Sequence, residues 1–189
     1  MLKNKKIGFI FTGTLYSLKR MIPEIRKLVK DGVEIIPIIS FDSYKTRKMA
    51  FKEFIEEIES ITNTRIIKTI AEAEKIGKKY VTDITIIAPC SENTIAKLAN
   101  GISDTPATVA VRSALKIGNN IVIGVLANDG LMSNAVNIGI LLNRKNYYFI
   151  PFRQSNPITK PNALAFDSNY LIPTLEKASQ NQQIQPILI

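Results

Sequence analysis

Ser91, Asn93 and Thr94 stand close together in Pro89-Cys90-Ser91-Glu92-Asn93-Thr94, and two hydroxyls and an amide at that spacing can donate hydrogen bonds to an anionic oxygen. They follow Ile84 to Ala88, an apolar, β-branched run too short for a typical helix, which reads as a strand buried on both faces. Behind them Ile95, Leu98, Ala99 and Ile102 recur at i, i+3, i+4 and i+7, one face of a helix. Asp83 to Asp104 therefore predicts strand, polar turn, helix. In an open α/β sheet such a junction lies at the carboxyl end of a strand, where ligands bind, and a helix N-terminus offers unpaired N–H groups and a partial positive charge. The same residues would also serve in a plain N-cap and first turn.

The grouping recurs. Lys6 to Phe11 is a short apolar strand that runs into Thr12-Gly13-Thr14, Val33 to Ile39 runs into Ser40, and Ile121 to Leu126 runs into Asn128-Asp129-Gly130. One such turn is ordinary turn chemistry. Several at the ends of strands that alternate with helices predict a converging ligand site.

Composition narrows the chemistry. The 189 residues contain no histidine, so the commonest metal ligand and general base is missing, and the single cysteine, Cys90, excludes an internal disulfide framework and a thiolate zinc site. Cys90 reads as a small buried hydrophobe rather than a reactive thiol. Against 16 Asp and Glu stand 25 Lys and Arg, a formal charge of +9 and a pI near 9.6. The lysines are spread over predicted helix faces without interleaved aromatics or a nucleic-acid-binding signature, which argues against nucleic acid and leaves an anionic small molecule as the partner that suits the charge. Nothing resembles a membrane span or a signal peptide, and a cytoplasmic protein is expected.

The elements needed to hold these groups can be followed along the chain. A helix carrying Leu18, Ile22, Ile25, Leu28 and Val29 follows the first strand, with Pro23 placed to start or kink it and Asp31-Gly32 to end it. Phe41 to Arg47 is a polar loop long enough to act as a flap. Phe51, Phe54, Ile55, Ile58 and Ile61 mark an amphipathic helix, Arg65 to Lys68 a short strand, and Thr69 to Tyr80 a connector with a brief helix. Further helices are expected from Pro106 to Lys116 and from Leu131 to Leu142, with a last strand at Tyr147 to Ile150. Pro151, Pro157 and Pro161 then punctuate a loop, Asn162 caps a helix containing Leu164, Leu171 and Leu175, and an apolar tail lies on this domain or on a neighbouring protomer. Residues 1–189 are expected to form a single domain, with that helix and an extended tail from about 160. Alternating strands and helices predict a three-layer, doubly wound, mostly parallel sheet.

Pro89-Cys90-Ser91-Glu92-Asn93-Thr94-Ile95-Ala96-Lys97, with Gly101 and Asp104 behind it, resembles the P-x-S-x-N-T-x-A-K...G...D signature of the flavoprotein family that includes the flavin-containing cysteine decarboxylases and the flavin prenyltransferases. The likeness extends over nearly the whole chain. It implies a Rossmann-like or flavodoxin-like fold and flavin mononucleotide (FMN) as cofactor, with Thr12, Gly13, Thr14, Ser40, Pro89, Ser91, Asn93, Thr94 and Asn128 where the family holds it. Within the family, KIGFIFTGT, EIIPIIS, NDGL, NAVNIG and YYFIPF resemble one component of a two-component oxidoreductase of sporulating cells. That likeness implies a small dicarboxylate substrate, a partner chain carrying NADP, and a homo-oligomer, a trimer or a multiple of one. Arg112 and Arg153, near polar strand ends, are candidates to hold a carboxylate. The decarboxylases use a histidine as acid and base, which this chain lacks.

Overall fold

The computed structural model describes residues 2–40 and 48–189, so the flap expected at Phe41 to Arg47 lies outside the described residues. Five strands run parallel. They are β1 (Lys6–Phe11), β2 (Glu34–Ile39), β3 (Ile84–Ser91), β4 (Asn120–Ala127) and β5 (Tyr147–Phe149), in the order β2-β1-β3-β4-β5. Pro37 is tolerated in β2 because that strand is at the edge of the sheet: its carbonyl accepts from Ile67 N–H and Ile39 N–H donates back to Ile67, so residue 37 faces away from β1.

Side chains alternate between two apolar layers, as a strand period of two requires. Ile7, Phe9, Phe11, Ile84, Ile86 and Val122 pack under α1 (Leu15–Lys19), α2 (Ile22–Lys30) and α3 (Lys48–Thr62). Ile10, Ile87, Ile121, Ile123 and Val125 pack on the other face, under α4 (Ile70–Ala73), α5 (Glu92–Ala99), α6 (Pro106–Lys116) and α7 (Ala135–Leu142). Strands buried on both faces need continuous apolar runs, which is why Ile84 to Ala88 shows no polar alternation apart from Thr85. The result is the three-layer α/β sheet expected.

Element boundaries shift where side chains intervene. The first helix is two, α1 and α2, with Pro23 in the first turn of the second. Gly101, at φ +71, and the bond from Ile102 N–H to Lys97 O end α5 at Ala99, leaving Ile102 exposed. α7 starts at Ala135 rather than Leu131, because Asp129 organises a preceding turn: its carboxylate accepts from Ser133 Oγ at 3.0 Å and from Asn134 Nδ2 at 2.9 Å.

The segment after Ile150 corrects the sequence reading. Instead of a proline loop and a helix capped by Asn162, it forms a hairpin of β6 (Phe152–Asn156) and β7 (Lys160–Phe166), with Asn162 and Leu164 inside β7. Asn156 closes the turn by accepting from Ile158 and Thr159 N–H. β7 runs antiparallel to the far half of β4, whose near half carries β5, so one edge holds two strands end to end. Leu164 is buried there as a strand residue rather than as a helix knob. The last helix, α8 (Leu171–Ala178), contains only Leu171 and Leu175 of the three leucines. The tail lies on its own chain: Phe152 N–H donates to Ile187 O, Ile189 N–H donates to Phe152 O, and the Gln183 amide bonds both backbone groups of Phe149.

Candidate functional site

In this strand order β1 is followed by a helix on one face and β3 by a helix on the other, so the chain reverses direction between these two strands. The crevice outside their carboxyl ends is where an open α/β sheet takes ligands. A cleft of about 530 Å³ opens there, lined by Thr12, Gly13, Thr14, Ser40, Ser91, Asn93 and Thr94 together with Leu15, Tyr16, Phe51, Glu92, Lys97 and Thr105.

Thr12 is the joint of the site. It is buried, and its hydroxyl donates to Pro89 O at 2.9 Å while accepting from Ser91 N–H at 2.9 Å, tying the end of β1 to the end of β3. Its proton is thereby committed to the protein. Gly13 next to it has φ +106, a conformation L side chains rarely adopt, and a Cβ there would lie 3.3 Å from Ser17 Oγ. Thr14 caps α1 by accepting from Ser17 N–H at 3.4 Å, and Ser17 Oγ donates to Thr14 O at 2.7 Å.

Ser91 is the N-cap of α5, yet its side chain caps no backbone N–H; its Oγ pairs instead with Thr94 Oγ1 at 3.1 Å. Among the described residues no side-chain acceptor caps the first-turn N–H groups of α5 at the cleft, and the positive end of the helix dipole lies behind them. The hydroxyl of Ser40, at the end of β2, makes no hydrogen bond among the described residues. Uncapped N–H groups, a glycine turn and convergent hydroxyls are the donor set that a phosphate monoester takes, and Phe51, Leu15 and Tyr16 give an apolar wall. This chemistry fits a flavin nucleotide.

Charge in the cleft is sparse. Glu92 is the one carboxylate lining it among the described residues, and Lys97 is held 3.0 Å from Asp104. Lys97 was legible in retrospect, since it lies one helical turn from Asn93 on the same face of α5. Tyr16 and Phe51 gave no such signal, because Phe51 reads as an ordinary core residue of an amphipathic helix.

Several sequence candidates lie elsewhere. Pro89 and Arg153 line a neighbouring cleft. Arg112 lines a groove beside α6 with Arg144 and Tyr147, and Asn128 is exposed just beyond β4. Burial pushes the Tyr147 phenol up from its ordinary value, and Arg144 partly offsets this. Arg144 itself is occupied, donating to Leu98 O and Ala99 O at the end of α5. Cys90 is fully buried, which drives its thiol pKa far up and removes the thiolate as a nucleophile. No group of His, Cys, Asp and Glu among the described residues can hold a metal ion, and no helix among them is long and apolar enough to cross a membrane.

Comparison with known proteins extends the geometry. A family model described as Flavoprotein matches residues 1–167. The B subunit of dipicolinate synthase from Bacillus subtilis (strain 168) is 37% identical over 190 residues, spanning 100% of this chain and 95% of that protein. The crystal structure of the dipicolinate synthase B subunit from Bacillus halodurans C has a TM-score of 0.92 at 35% identity, covering 100% of this chain and 97% of that one. The FMN-dependent cysteine decarboxylase SpaF shares the fold, with a TM-score of 0.68 at 16% identity over 95% of this chain and 99% of that one.

Proposed function

The chain belongs to the Flavoprotein family, and on that footing we propose that it works as the B subunit of a dipicolinate synthase, with FMN in the cleft between β1 and β3. The observation that carries this is the coincidence of a full-length likeness to such subunits with a helix N-terminus that no side chain caps among the described residues and a glycine turn at the switch point of the sheet. The reaction takes a hydroxylated tetrahydrodipicolinate to pyridine-2,6-dicarboxylate by loss of the hydroxyl as water and a two-electron oxidation that removes two hydrogens. The other participant is the A subunit of the synthase, carrying NADP.

Bound flavin supplies a two-electron acceptor that no side chain can replace. Gly13, Ser40 and the first turn of α5 hold its phosphate, and Ser91, Asn93 and Thr94 face phosphate, ribityl chain or substrate. Phe51 gives the site a buried apolar wall, and Tyr16 stands at its rim. With no imidazole in the chain, Glu92, the one carboxylate among the described residues that line this cleft, is the candidate to move a proton there, Lys97 being engaged by Asp104. The missing histidine also counts against cysteine decarboxylation.

The test is an absorbance spectrum between roughly 300 and 550 nm, after mixing with FMN and removing free ligand, because flavin chemistry requires the cofactor to be held. Retained flavin bands are expected. A colourless protein would refute cofactor binding and favour the second reading, also prompted by the missing histidine: a non-catalytic partner of the A subunit, recognisable if that partner by itself reaches the full rate.

A further inference from the structure

Behind the wall of the flavin cleft lies a second one, about 280 Å³, between the end of α1 and the β6–β7 hairpin. The wall is thin. A Cβ on Gly13, which faces the first cleft, would come within 3.3 Å of Ser17 Oγ and 3.9 Å of Pro89 Cγ, and both of those residues line the second. Arg20 enters it from the C-cap of α1 and Arg153 from β6, with the hydroxyl-bearing Ser155 and Ser168 beside them and Met21, Leu126 and Phe166 as apolar surface. The Phe166 ring sits close over Gly124, where a Cβ would meet it at 3.1 Å.

The charges make this cleft selective. No acidic residue lines it, and neither guanidinium has an ion pair or hydrogen bond among the described residues. Arg26, by contrast, is paired with Glu57, and Arg144 caps a helix. An incoming anion therefore displaces no partner among the described residues. Two exposed guanidinium forks, from α1 and from β6, line one cleft together with apolar Met21, Leu126 and Phe166, a combination of groups that suits a ring bearing two carboxylates. A volume just under the usual range for ligand pockets, about 300–1,000 Å³, suits one ring rather than a nucleotide. The geometry points to this cleft as the dicarboxylate subsite, with Arg20 and Arg153 each taking one carboxylate. The inference rests on the reading of the chain as part of an enzyme for a ring dicarboxylate, and it adds Arg20, which no sequence motif singles out.

Calorimetric titration of the purified chain with pyridine-2,6-dicarboxylate in calcium-free buffer tests it, alongside Arg20→Gln, Arg153→Gln and, as a control in another groove, Arg112→Gln. Each of the first two is expected to bind roughly 10- to 100-fold more weakly, the loss of one charge-assisted pair, and the control to bind as the unaltered chain does. Pyridine-2-carboxylate, with one carboxylate, should bind the unaltered chain at least about tenfold more weakly than the diacid. Unchanged affinity in either Arg20→Gln or Arg153→Gln, or an equal loss in Arg112→Gln, would overturn the clamp. Flavin retention, measured on the same preparations, separates the two proposals. A chain that keeps flavin but ignores the diacid loses the clamp alone, whereas one that binds the diacid through both arginines without flavin keeps the clamp and loses the cofactor.

Discussion

Replacing Thr12 by valine removes one hydroxyl from the middle of the site and leaves its shape almost intact. The oxygen serves two backbone groups, Pro89 O at 2.9 Å and Ser91 N–H at 2.9 Å, in a side chain that is 1% exposed. The two losses are unequal. Pro89 O keeps a 3.3 Å bond from Thr12 N–H, while Ser91 N–H loses the hydroxyl it donates to, with an isopropyl group in its place. Leaving a buried polar group unpaired costs about 1–3 kcal/mol, so a destabilisation of about 2 kcal/mol is expected. For a chain of this size that is a fall in Tm of about 4–8 °C. Urea unfolding followed by circular dichroism measures it, with the slope against denaturant unchanged. Thr12→Ser is the control, since it keeps the hydroxyl and loses one methyl, at a cost of about 1 kcal/mol. If valine costs less than serine, the hydroxyl bridge does not hold β1 to β3 and the reasoning fails.

Thr85 presents the opposite case: its buried Oγ1 has no partner among the described residues, so Thr85→Val should be neutral or stabilising by up to about 1 kcal/mol, and a clear loss in thermal unfolding would show a bond the geometry does not. Cys90 should resist a thiol reagent at about pH 8 in the folded protein and react fully in denaturant, and labelling of the native chain within minutes would contradict its burial. Asp83 is raised by partial burial but lowered further by hydrogen bonds from Lys6 N–H at 2.7 Å and Lys5 Nζ at 3.1 Å, so its folded pKa lies below the ordinary value. Its contribution is then present above about pH 4 and lost as pH falls through the folded value; the gap between wild type and Asp83→Asn, under about 1 kcal/mol at this exposed site, should close in acid, and a gap that widens there would reverse the assigned sign. Gly130→Ala should cost about 1–3 kcal/mol by overpacking, because the new Cβ would lie 2.7 Å from Leu164 Cγ, and an unchanged urea midpoint would mean that β7 is not seated on this turn.

The parallel sheet was legible because its physics is local. Ile84 to Ala88 and Ile121 to Leu126 are continuous apolar runs, the signature of a strand covered on both faces, and the polar turn behind each marks the end where a ligand can sit. The gathering of Thr12 to Thr14, Ser40 and Ser91 to Thr94 around one cleft followed from that alternation. The β6–β7 hairpin was not legible. Phe152 to Asn156 exposes every residue after the first, so it carries no apolar period, and Pro157 and Pro161 read as breakers although one sits in the hairpin turn and the other is the second residue of β7, before that strand reaches β4. Leu164 and Leu171 fall at a helical spacing that the chain does not use, because β4 offers an unpaired edge beyond β5 and tertiary pairing overrides the local pattern.

That hairpin decides what can be known about the substrate. A phosphate cradle is built from consecutive residues at strand ends, so its donors announce themselves in sequence. The clamp proposed for a second anion depends on topology: Arg20 ends a five-residue helix, Arg153 lies on a hairpin far along the chain, and only the return of β7 along β4 brings both to one cleft. The two clefts thus draw on two different kinds of information. Sequence motifs report the flavin side, and the antiparallel addition to a parallel sheet creates the other. A change in the hairpin that leaves Thr12 to Thr14 and α5 untouched should alter which acid binds while leaving the cofactor cleft intact.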